Sequence, residues 1–266
     1  MDNTANDFVT FTEYFGPLGT VSDPLPDGNI RISTVYGFET FSPENQAASY
    51  VNLPHDSGAI YGYVSAGEAR ITDGAAPNGR STIISAGQYF SVPAPLRIDF
   101  DQETPTRIVA IHAAGFTPLR TIGGPIEPKG RLRYIDRCSD TLLVHPPRLG
   151  DPCLNLLHFP PGIHQTPHTH PSIRCGAISS GAGYCIDDQG NRADLETGMV
   201  WIIPQGTIHS FHTADSGDNL NVIAYHPDTD WGPEDETHPM LNRTWVDGTK
   251  IDNTTDQHAN PDVMEF

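Results

Sequence analysis

Short apolar runs rich in β-branched and aromatic residues recur along the chain, and polar turn signals separate them. Three dipeptides that favour tight turns, Asp73-Gly74, Asn78-Gly79 and Gln189-Gly190, mark some of the boundaries. Long amphipathic helical patterns are hard to find. With 24 prolines and 25 glycines, the chain is predicted to be all-β, a barrel or a jelly roll. The predicted strands include Thr82–Ile84, Arg107–Ile111, Leu154–Phe159, Val200–Ile203 and Asn221–Tyr225.

This strand pattern occurs twice. The segment from Ile60 to Ile71 resembles the segment from Arg174 to Ile186, with two glycines of each in register at a separation of 114 residues. Farther on, the segment that begins at Gly87 resembles the one that begins at Gly198, at a separation of 111 residues. A longer hairpin in the first copy accounts for the difference of three. Two tandem copies of one β-fold are the simplest explanation.

The repeat predicts the domain organisation. We expect a first domain at residues 1–112, a connector rich in proline and glycine at residues 113–137, and a second domain at residues 138–266. The ends, residues 1–30 and about 227–266, are rich in Asp, Asn, Pro and Thr. We expect these ends to cross onto the other domain.

Three histidines of the second copy carry the clearest chemical signal. His168 and His170 lie one residue apart, and this alternate spacing predicts two imidazoles on one face of an extended strand. A segment punctuated by glycine and proline then brings His209 from a neighbouring strand. Three convergent neutral imidazoles form a site for a first-row transition metal with open coordination positions. The sequence therefore predicts His168, His170 and His209 as metal ligands.

The motifs around these histidines resemble those of the cupin superfamily, over about residues 154–225. The first family motif has Pro-Gly, then H-x-H, then usually a Glu and a Gly. The second has Gly, five residues, Pro-x-Gly, two residues and His, and here Gly198, Pro204, Gly206 and His209 are in register. The resemblance implies a bicupin, in which two double-stranded β-helix (jelly-roll) barrels follow one another. It also departs at one ligand, because Cys175 stands where the Glu is expected.

Cys175 allows three interpretations. It could ligate the metal through its thiolate, which suits zinc or copper. It could instead be a small buried residue beneath the site. In the third interpretation the motif is similar to that of the thiol dioxygenases of the cupin superfamily, where such a Cys is crosslinked to a Tyr, and Tyr225 stands near that partner's position. Strand alternation then predicts that Arg174 points away from the metal.

The first copy lacks the ligand set. Pro54, Asp56 and Ile98 stand where the second copy has its three histidines, and Tyr61 stands at the position of Cys175. The first domain is therefore predicted to bind no metal through these positions. It would pack against the second domain or shape the pocket entrance, with an apolar pocket around Ile98 and Tyr61 as the alternative.

Further residues are candidates for catalysis. Histidine titrates near neutral pH, so His158 or His164 could move a proton, orient a ligand or bind substrate, although each could equally be structural. Tyr225, if it faced the pocket, would donate a hydrogen bond to a bound oxygen species. These residues and the resemblance lead us to predict a mononuclear dioxygenase that uses Fe(II), with Zn, Ni, Cu or Mn as alternative metals. A non-redox lyase, isomerase or hydrolase and a small-ligand-binding protein remain open alternatives.

Composition limits the partners. Fifteen Lys and Arg residues against 33 Asp and Glu residues give a net charge of -18, which disfavours nucleic acid and anionic membranes. No signal peptide or membrane-spanning segment is recognisable, and four cysteines do not make a disulfide scaffold. We therefore expect a cytoplasmic protein whose partners are a small-molecule substrate and O2. Cupins often pair through their sheet edges, which hides exposed strands, so the resemblance also implies a possible homodimer.

Overall fold

The computed structural model describes nine stretches of the chain, and almost all of their regular structure is β-strand. The described residues are 9–11, 15–24, 30–39, 49–74, 78–101, 103–148, 150–228, 245–246 and 249–250. Within these stretches no helix has the length and the apolar character needed to cross a membrane. The all-β prediction is confirmed.

Ten strands build the first barrel from two sheets. The larger sheet has the order β11-β8-β5-β10-β3-β2 and the smaller has the order β4-β9-β6-β7. All the pairings in both sheets are antiparallel. The strands up to this point of the chain are β1 (Val9–Phe11), β2 (Phe15–Pro24), β3 (Ile30–Glu39), β4 (Tyr50–Asn52), β5 (Ala59–Ala66), β6 (Glu68–Asp73), β7 (Arg80–Ser85), β8 (Tyr89–Pro93), β9 (Leu96–Phe100), β10 (Arg107–Ala113) and β11 (Thr121–Gly123).

The second barrel repeats this architecture. Its larger sheet has the order β1-β18-β15-β20-β14-β13-β12, and its smaller sheet has the order β17-β16-β19. Among the described residues, the last two strands pair with each other. The remaining strands are β12 (Leu132–Arg133), β13 (Ser139–Val144), β14 (Cys153–Phe159), β15 (Arg174–Ser180), β16 (Ala182–Asp187), β17 (Arg192–Glu196), β18 (Val200–Ile203), β19 (His209–His212), β20 (Leu220–His226), β21 (Trp245–Val246) and β22 (Thr249–Lys250).

Each barrel has its own apolar interior. The first is filled by large side chains such as Phe90 and Ile98, and the second by side chains such as Phe159 and Trp201. Strand alternation assigns these residues to one face of each sheet and leaves every second residue on the other face. The two tandem jelly-roll barrels of a bicupin are therefore present, as the repeat predicted. All five runs that were predicted as strands lie in strands.

A third apolar core joins the two barrels. It collects side chains from the other face of both large sheets, including Tyr61 and Val109 of the first barrel and Ile223 and Tyr225 of the second. The Tyr61 and Tyr225 rings contact each other with their centroids 5.3 Å apart. The apolar pocket expected around Ile98 and Tyr61 is not formed, because these two residues lie on opposite faces of the first barrel wall.

Strands near the predicted domain boundaries show how the halves connect. The first strand, β1, pairs with β18 of the second barrel, so this part of the N-terminal end crosses over as expected. Within the predicted connector, β11 extends the first barrel's sheet and β12 the second's. The domain limits themselves stay predictions. Most of the C-terminal end, including residues 229–244 and 251–266, lies outside the described residues.

Candidate metal centre

The three predicted ligands converge at one end of the second barrel. His209 is the first residue of β19, and the backbone of His168 forms an isolated bridge to it, with amide-to-carbonyl distances of 2.9 and 3.0 Å. His170 follows in a loop that ends where β15 begins. The alternate spacing of the H-x-H segment suggested a regular strand, but the structure shows an isolated bridge at His168 followed by a loop. The bridge and the loop bring the side chains together instead.

The ligand atoms of these histidines are close enough to share one ion. One nitrogen of each imidazole lies within 4.8 Å of the corresponding nitrogens of the other two. The ring centroids are 5.0 Å apart for His168 and His170, 4.6 Å for His168 and His209, and 5.2 Å for His170 and His209. No other group of three potential ligands with this geometry occurs among the described residues. The result is a three-histidine site that can hold a metal.

Backbone carbonyl groups orient two of the rings. Nδ1 of His168 lies 2.9 Å from the carbonyl oxygen of Thr166, and Nδ1 of His209 lies 2.9 Å from that of Thr207. A carbonyl only accepts, so each Nδ1 must carry the proton and donate it. The lone pair of each ring then resides on Nε2. This is the tautomer that metal-binding histidines adopt when a backbone group fixes the other nitrogen.

Burial favours the neutral form of two of these histidines, His209 and His170. It lowers the pKa of His209 to about 4, against the opposing effect of the hydrogen bond to Thr207. Burial also lowers the pKa of His170 far below its ordinary value, and the positive charge of Arg174 adds to this effect. A metal ion binds the neutral imidazole, so these shifts remove the competition between protons and metal near neutral pH.

The histidines lie in a narrow pocket whose enclosed space is about 20 Å³. Its wall is mostly apolar and aromatic, and no Asp or Glu of the described residues lines it. Such walls exclude water and strengthen polar interactions inside the site. The lining residues are Tyr134, Leu157, Phe159, Gln165, His168, His170, Arg174, Trp201, Ile203, His209, Phe211, Ala224 and His226.

Arg174, and not Cys175, faces this pocket. The sequence predicted the reverse, because the motif alignment placed Cys175 at the Glu position, and alternation counted from Cys175 turned Arg174 away. Counted from His168 and His170, a period of two places Arg174 on the side of the histidines and Cys175 on the other side, as the structure has them. An assignment that is wrong by one residue moves every side chain of the strand to the other face. The position where the cupin motif has its carboxylate ligand is therefore occupied by a guanidinium.

Cys175 and Tyr225 lie on the far side of the same sheet. They are direct cross-strand neighbours on β15 and β20, so their predicted proximity is present. Both are fully buried in the core between the barrels, however, and neither lines the pocket. Tyr225 therefore cannot donate to a species in the pocket. Cys175 is placed neither to ligate the metal nor to form a metal-assisted crosslink to Tyr225 there.

The two other predicted catalytic histidines also lie outside the pocket. His158 alternates with the pocket residues Leu157 and Phe159 and lies on the opposite face, where its Nδ1 is 2.7 Å from Oδ1 of Asn221. His164 is exposed on the outside of the barrel, with its Nδ1 3.3 Å from Nδ1 of His212. Strand alternation explains why His158 lies outside the pocket. His164 lies outside because its backbone forms a bridge to His212, four residues before the bridge of His168 to His209.

His226 is a pocket residue that sequence reasoning did not place in this site. Its ring centroid is 6.4 Å from that of His170, and burial lowers its pKa well below 6.5. The sequence had grouped it with Asp228 and Asp230 in a turn. Asp228 instead forms an ion pair with Arg174, and Asp230 lies outside the described residues. The repeat could have found His226, because it lies 114 residues after His112, which is buried in the first barrel.

Comparisons with known proteins agree with this fold. Residues 155–225 match the family model described as "Cupin domain". Among curated proteins, no sequence matches this chain significantly.

Solved structures with the same fold cover most of the chain. A cupin 2 conserved barrel domain protein from Leptotrichia buccalis is 13% identical with a TM-score of 0.54, over 83% of this chain and 96% of its own. The protein Ylba from E. coli is 20% identical with a TM-score of 0.51, over 88% and 95%. A mutant of salicylate 1,2-dioxygenase from Pseudoaminobacter salicylatoxidans is 12% identical with a TM-score of 0.54, over 85% of both chains. Residues 155–225 are thus a cupin domain, and the chain has the cupin fold in two tandem copies.

Proposed function

We propose that this chain is a mononuclear metal-dependent oxygenase that acts on a small organic molecule in the pocket of the second barrel. The observation that carries the proposal is the convergence of three imidazoles, without any carboxylate of the described residues, at a pocket with an aromatic and aliphatic wall. His168, His170 and His209 are the proposed ligands. A first-row metal bound there would keep its full double charge and have open positions for substrate and O2, which suits Lewis-acid and redox chemistry.

The protein's own groups have defined tasks in this proposal. The carbonyl groups of Thr166 and Thr207 hold two ligand rings in the metal-binding tautomer. The aromatic wall, which includes Phe159 and Phe211, excludes water from the reacting groups. Fe(II) is the metal we propose. Incorporation of both atoms of O2 into the substrate balances the reaction without a further reductant, so we propose a dioxygenase. The same fold in a protein named as a dioxygenase is compatible with this choice.

A non-redox reaction is the second candidate, because of His226. It lines the pocket beside His170 and is held neutral by burial, so it is able to accept a proton from a bound substrate. A lyase, isomerase or hydrolase would use the metal as a Lewis acid and His226 as the base.

Metal analysis and O2 uptake test the proposal. We expect one metal ion per chain in protein purified without added metal, and O2 consumption that depends on substrate across a panel of small organic acids, thiols and phenols. Zinc with no O2 uptake would favour the second candidate. One equivalent of iron that supports no O2 uptake with any panel member would contradict the oxygenase assignment.

A pair of histidine variants tests the ligand assignment. His209→Ala should lose the bound metal, because only two imidazoles remain. His145→Ala is the matched control, since His145 is an exposed histidine of the same half that does not line the pocket. If His209→Ala folds and keeps its metal content, His209 is not a ligand.

A further inference from the structure

Arg174 brings a positive charge into the metal pocket. It is the first residue of β15, and its side chain is only 8% exposed. It lines the same pocket as His168, His170 and His209. A buried guanidinium is costly unless its charge and its donors are matched, so its partners indicate what else it can bind.

Protein groups occupy only part of the guanidinium. Its Nη1 lies 3.0 Å from Oδ1 of Asp228, 3.0 Å from the carbonyl oxygen of Ile173 and 2.5 Å from Oγ of Ser172. Asp228 also accepts a short hydrogen bond from Ser172. Nε is buried and has no acceptor among the described residues. The contacts to Asp228, Ile173 and Ser172 fix the side chain through Nη1 and leave the Nε donor unmatched.

Trp201 supplies a second unmatched donor. It is 1% exposed, lines the same pocket, and its indole Nε1 has no acceptor within the described part of the chain. A buried N–H without an acceptor costs free energy, and buried donors of this kind are rare in proteins. Two of them in one pocket point to an acceptor that is not part of the described protein.

The guanidinium of Arg174 favours an anion as that acceptor. The described lining residues include Arg174 but no Asp or Glu, and Asp228 contacts Nη1 of Arg174 without lining the pocket. A divalent metal on neutral histidines would increase the positive charge. This contrasts with the rest of the chain, whose net charge is -18. A single guanidinium, already paired through Nη1, suits a monoanion better than a phosphate dianion.

The remaining wall defines the body of the ligand. Leu157, Phe159, Ile203 and Phe211 offer it an apolar surface. The enclosed space beside them is narrow, so the ligand is small and part of its body extends toward the mouth of the pocket.

We propose that Arg174 and Trp201 form the carboxylate-binding site for a small monocarboxylic acid, whose apolar body lies against Phe159 and Phe211. This inference rests on the proposed function, because it assigns the substrate class of the same pocket. Arg174 is then a specificity-determining residue. Where the cupin motif has a Glu that binds the metal, this chain has a guanidinium that binds the substrate.

Binding of benzoate tests the proposal, with benzamide as the neutral probe of the same shape. We expect isothermal titration calorimetry to show benzoate binding to the full chain after metal removal with a chelator, at least tenfold tighter than benzamide. Arg174→Gln should weaken benzoate at least tenfold and leave benzamide unchanged. Arg192→Gln is the matched control, because Arg192 lies over the Tyr184 ring outside the pocket and should not change either affinity.

A second variant covers the case in which Arg174→Gln does not fold. Trp201→Phe removes the N–H donor together with one ring of the indole, so benzamide serves as the control for lost packing, and we expect a severalfold loss for benzoate relative to benzamide. Equal affinities for benzoate and benzamide in the wild-type protein would overturn the proposal, as would unchanged benzoate binding in a folded Arg174→Gln variant. Benzoate that binds only when metal is present would also overturn it. Benzoate binding that depends on Arg174 in a chain that never retains metal would instead refute the proposed function and leave the carboxylate site intact.

Discussion

The contact between Tyr61 and Tyr225 provides a measurable test of how the two barrels are joined. The side chains are 1% and 0% exposed, and their rings meet at a tilt of 54° with centroids 5.3 Å apart. An aromatic pair in such a geometry contributes about 0.5–1.5 kcal/mol beyond its area burial. Tyr61→Leu and Tyr225→Leu should each destabilise the protein by roughly 1–3 kcal/mol, because each removes a buried ring. The double variant should be less destabilised than the sum by the coupling energy.

Urea unfolding of the wild type, the two single variants and the double variant gives that coupling energy. The hydrogen bond from the Tyr61 hydroxyl to the carbonyl oxygen of Pro152, 3.2 Å long, is lost in both variants that lack Tyr61, so it cancels from the cycle. Additivity within about 0.3 kcal/mol would refute the contact.

Metal content provides the second readout of the same variants. Because Tyr225 lies outside the pocket, Tyr225→Leu should keep the metal content and the metal-dependent activity of the folded protein. A folded Tyr225→Leu variant that loses activity while it keeps its metal would instead support the catalytic role that the sequence suggested.

Three further predictions follow from buried groups elsewhere in the second barrel. Burial raises the pKa of Asp140 to about 6, above its ordinary value of 3.8, so its contribution to stability is complete below about pH 4 and is lost as the pH rises through 6. Asp140→Asn removes this titration. In urea unfolding, the stability of the variant relative to wild type should therefore be about 3 kcal/mol more favourable at pH 8 than at pH 4. The same pH dependence of stability in the variant and the wild type would contradict this. Gly176→Ala should prevent folding or lower the free energy of unfolding by more than about 4 kcal/mol, because the added Cβ would overlap the carbonyl oxygen of Ile223. Gly190→Ala is the control: its Cβ meets no atom within 4 Å, and the variant should lose only about 1 kcal/mol because of the positive φ. Intact mass should equal the sequence mass without loss of two hydrogens, since Cys175 and Tyr225 are adjacent but remote from the metal pocket, and a loss of two hydrogens would show that they are crosslinked.

The fold and the clustering of the three histidines could be predicted because both depend on local patterns. Turn dipeptides and β-rich runs determine where strands occur, and the repeat determines that there are two barrels. His209 lies at a fixed distance from Gly198, and the tight Pro204–Gly206 turn between them makes its position predictable. The convergence of His168 and His170 was predicted correctly although the reason given, a continuous strand, was not.

The face of β15 that meets the site was assigned wrongly by one residue. The motif places its Glu only a few residues after H-x-H, so its spacing did not decide between Arg174 and Cys175, whereas alternation from His168 and His170 does. Tyr225, the cross-strand neighbour of Cys175, repeated the error on β20, where Ala224 and His226 line the pocket instead. The packing of Tyr61 against Tyr225 is a tertiary contact that leaves no signal in either segment.

The repeat itself contains the information that resolves these faces. Residues 114 apart lie on equivalent faces of the two barrels: Tyr61 and Cys175 both lie in the shared core, whereas Ile60 and Arg174 both face a barrel interior. An isoleucine in the first barrel thus corresponds to a guanidinium in the second. Burying apolar side chains stabilises the first interior, while Arg174 and the histidines cost the second interior part of that stabilisation.

The shared core and the β1–β18 pairing therefore connect a barrel with an apolar interior to one that holds polar groups for a site. We therefore expect the first copy to contribute to function through stability. It has Ile60 and Ile98 where the second copy has Arg174 and His209, and we expect its apolar interior to offset the cost of burying those polar groups.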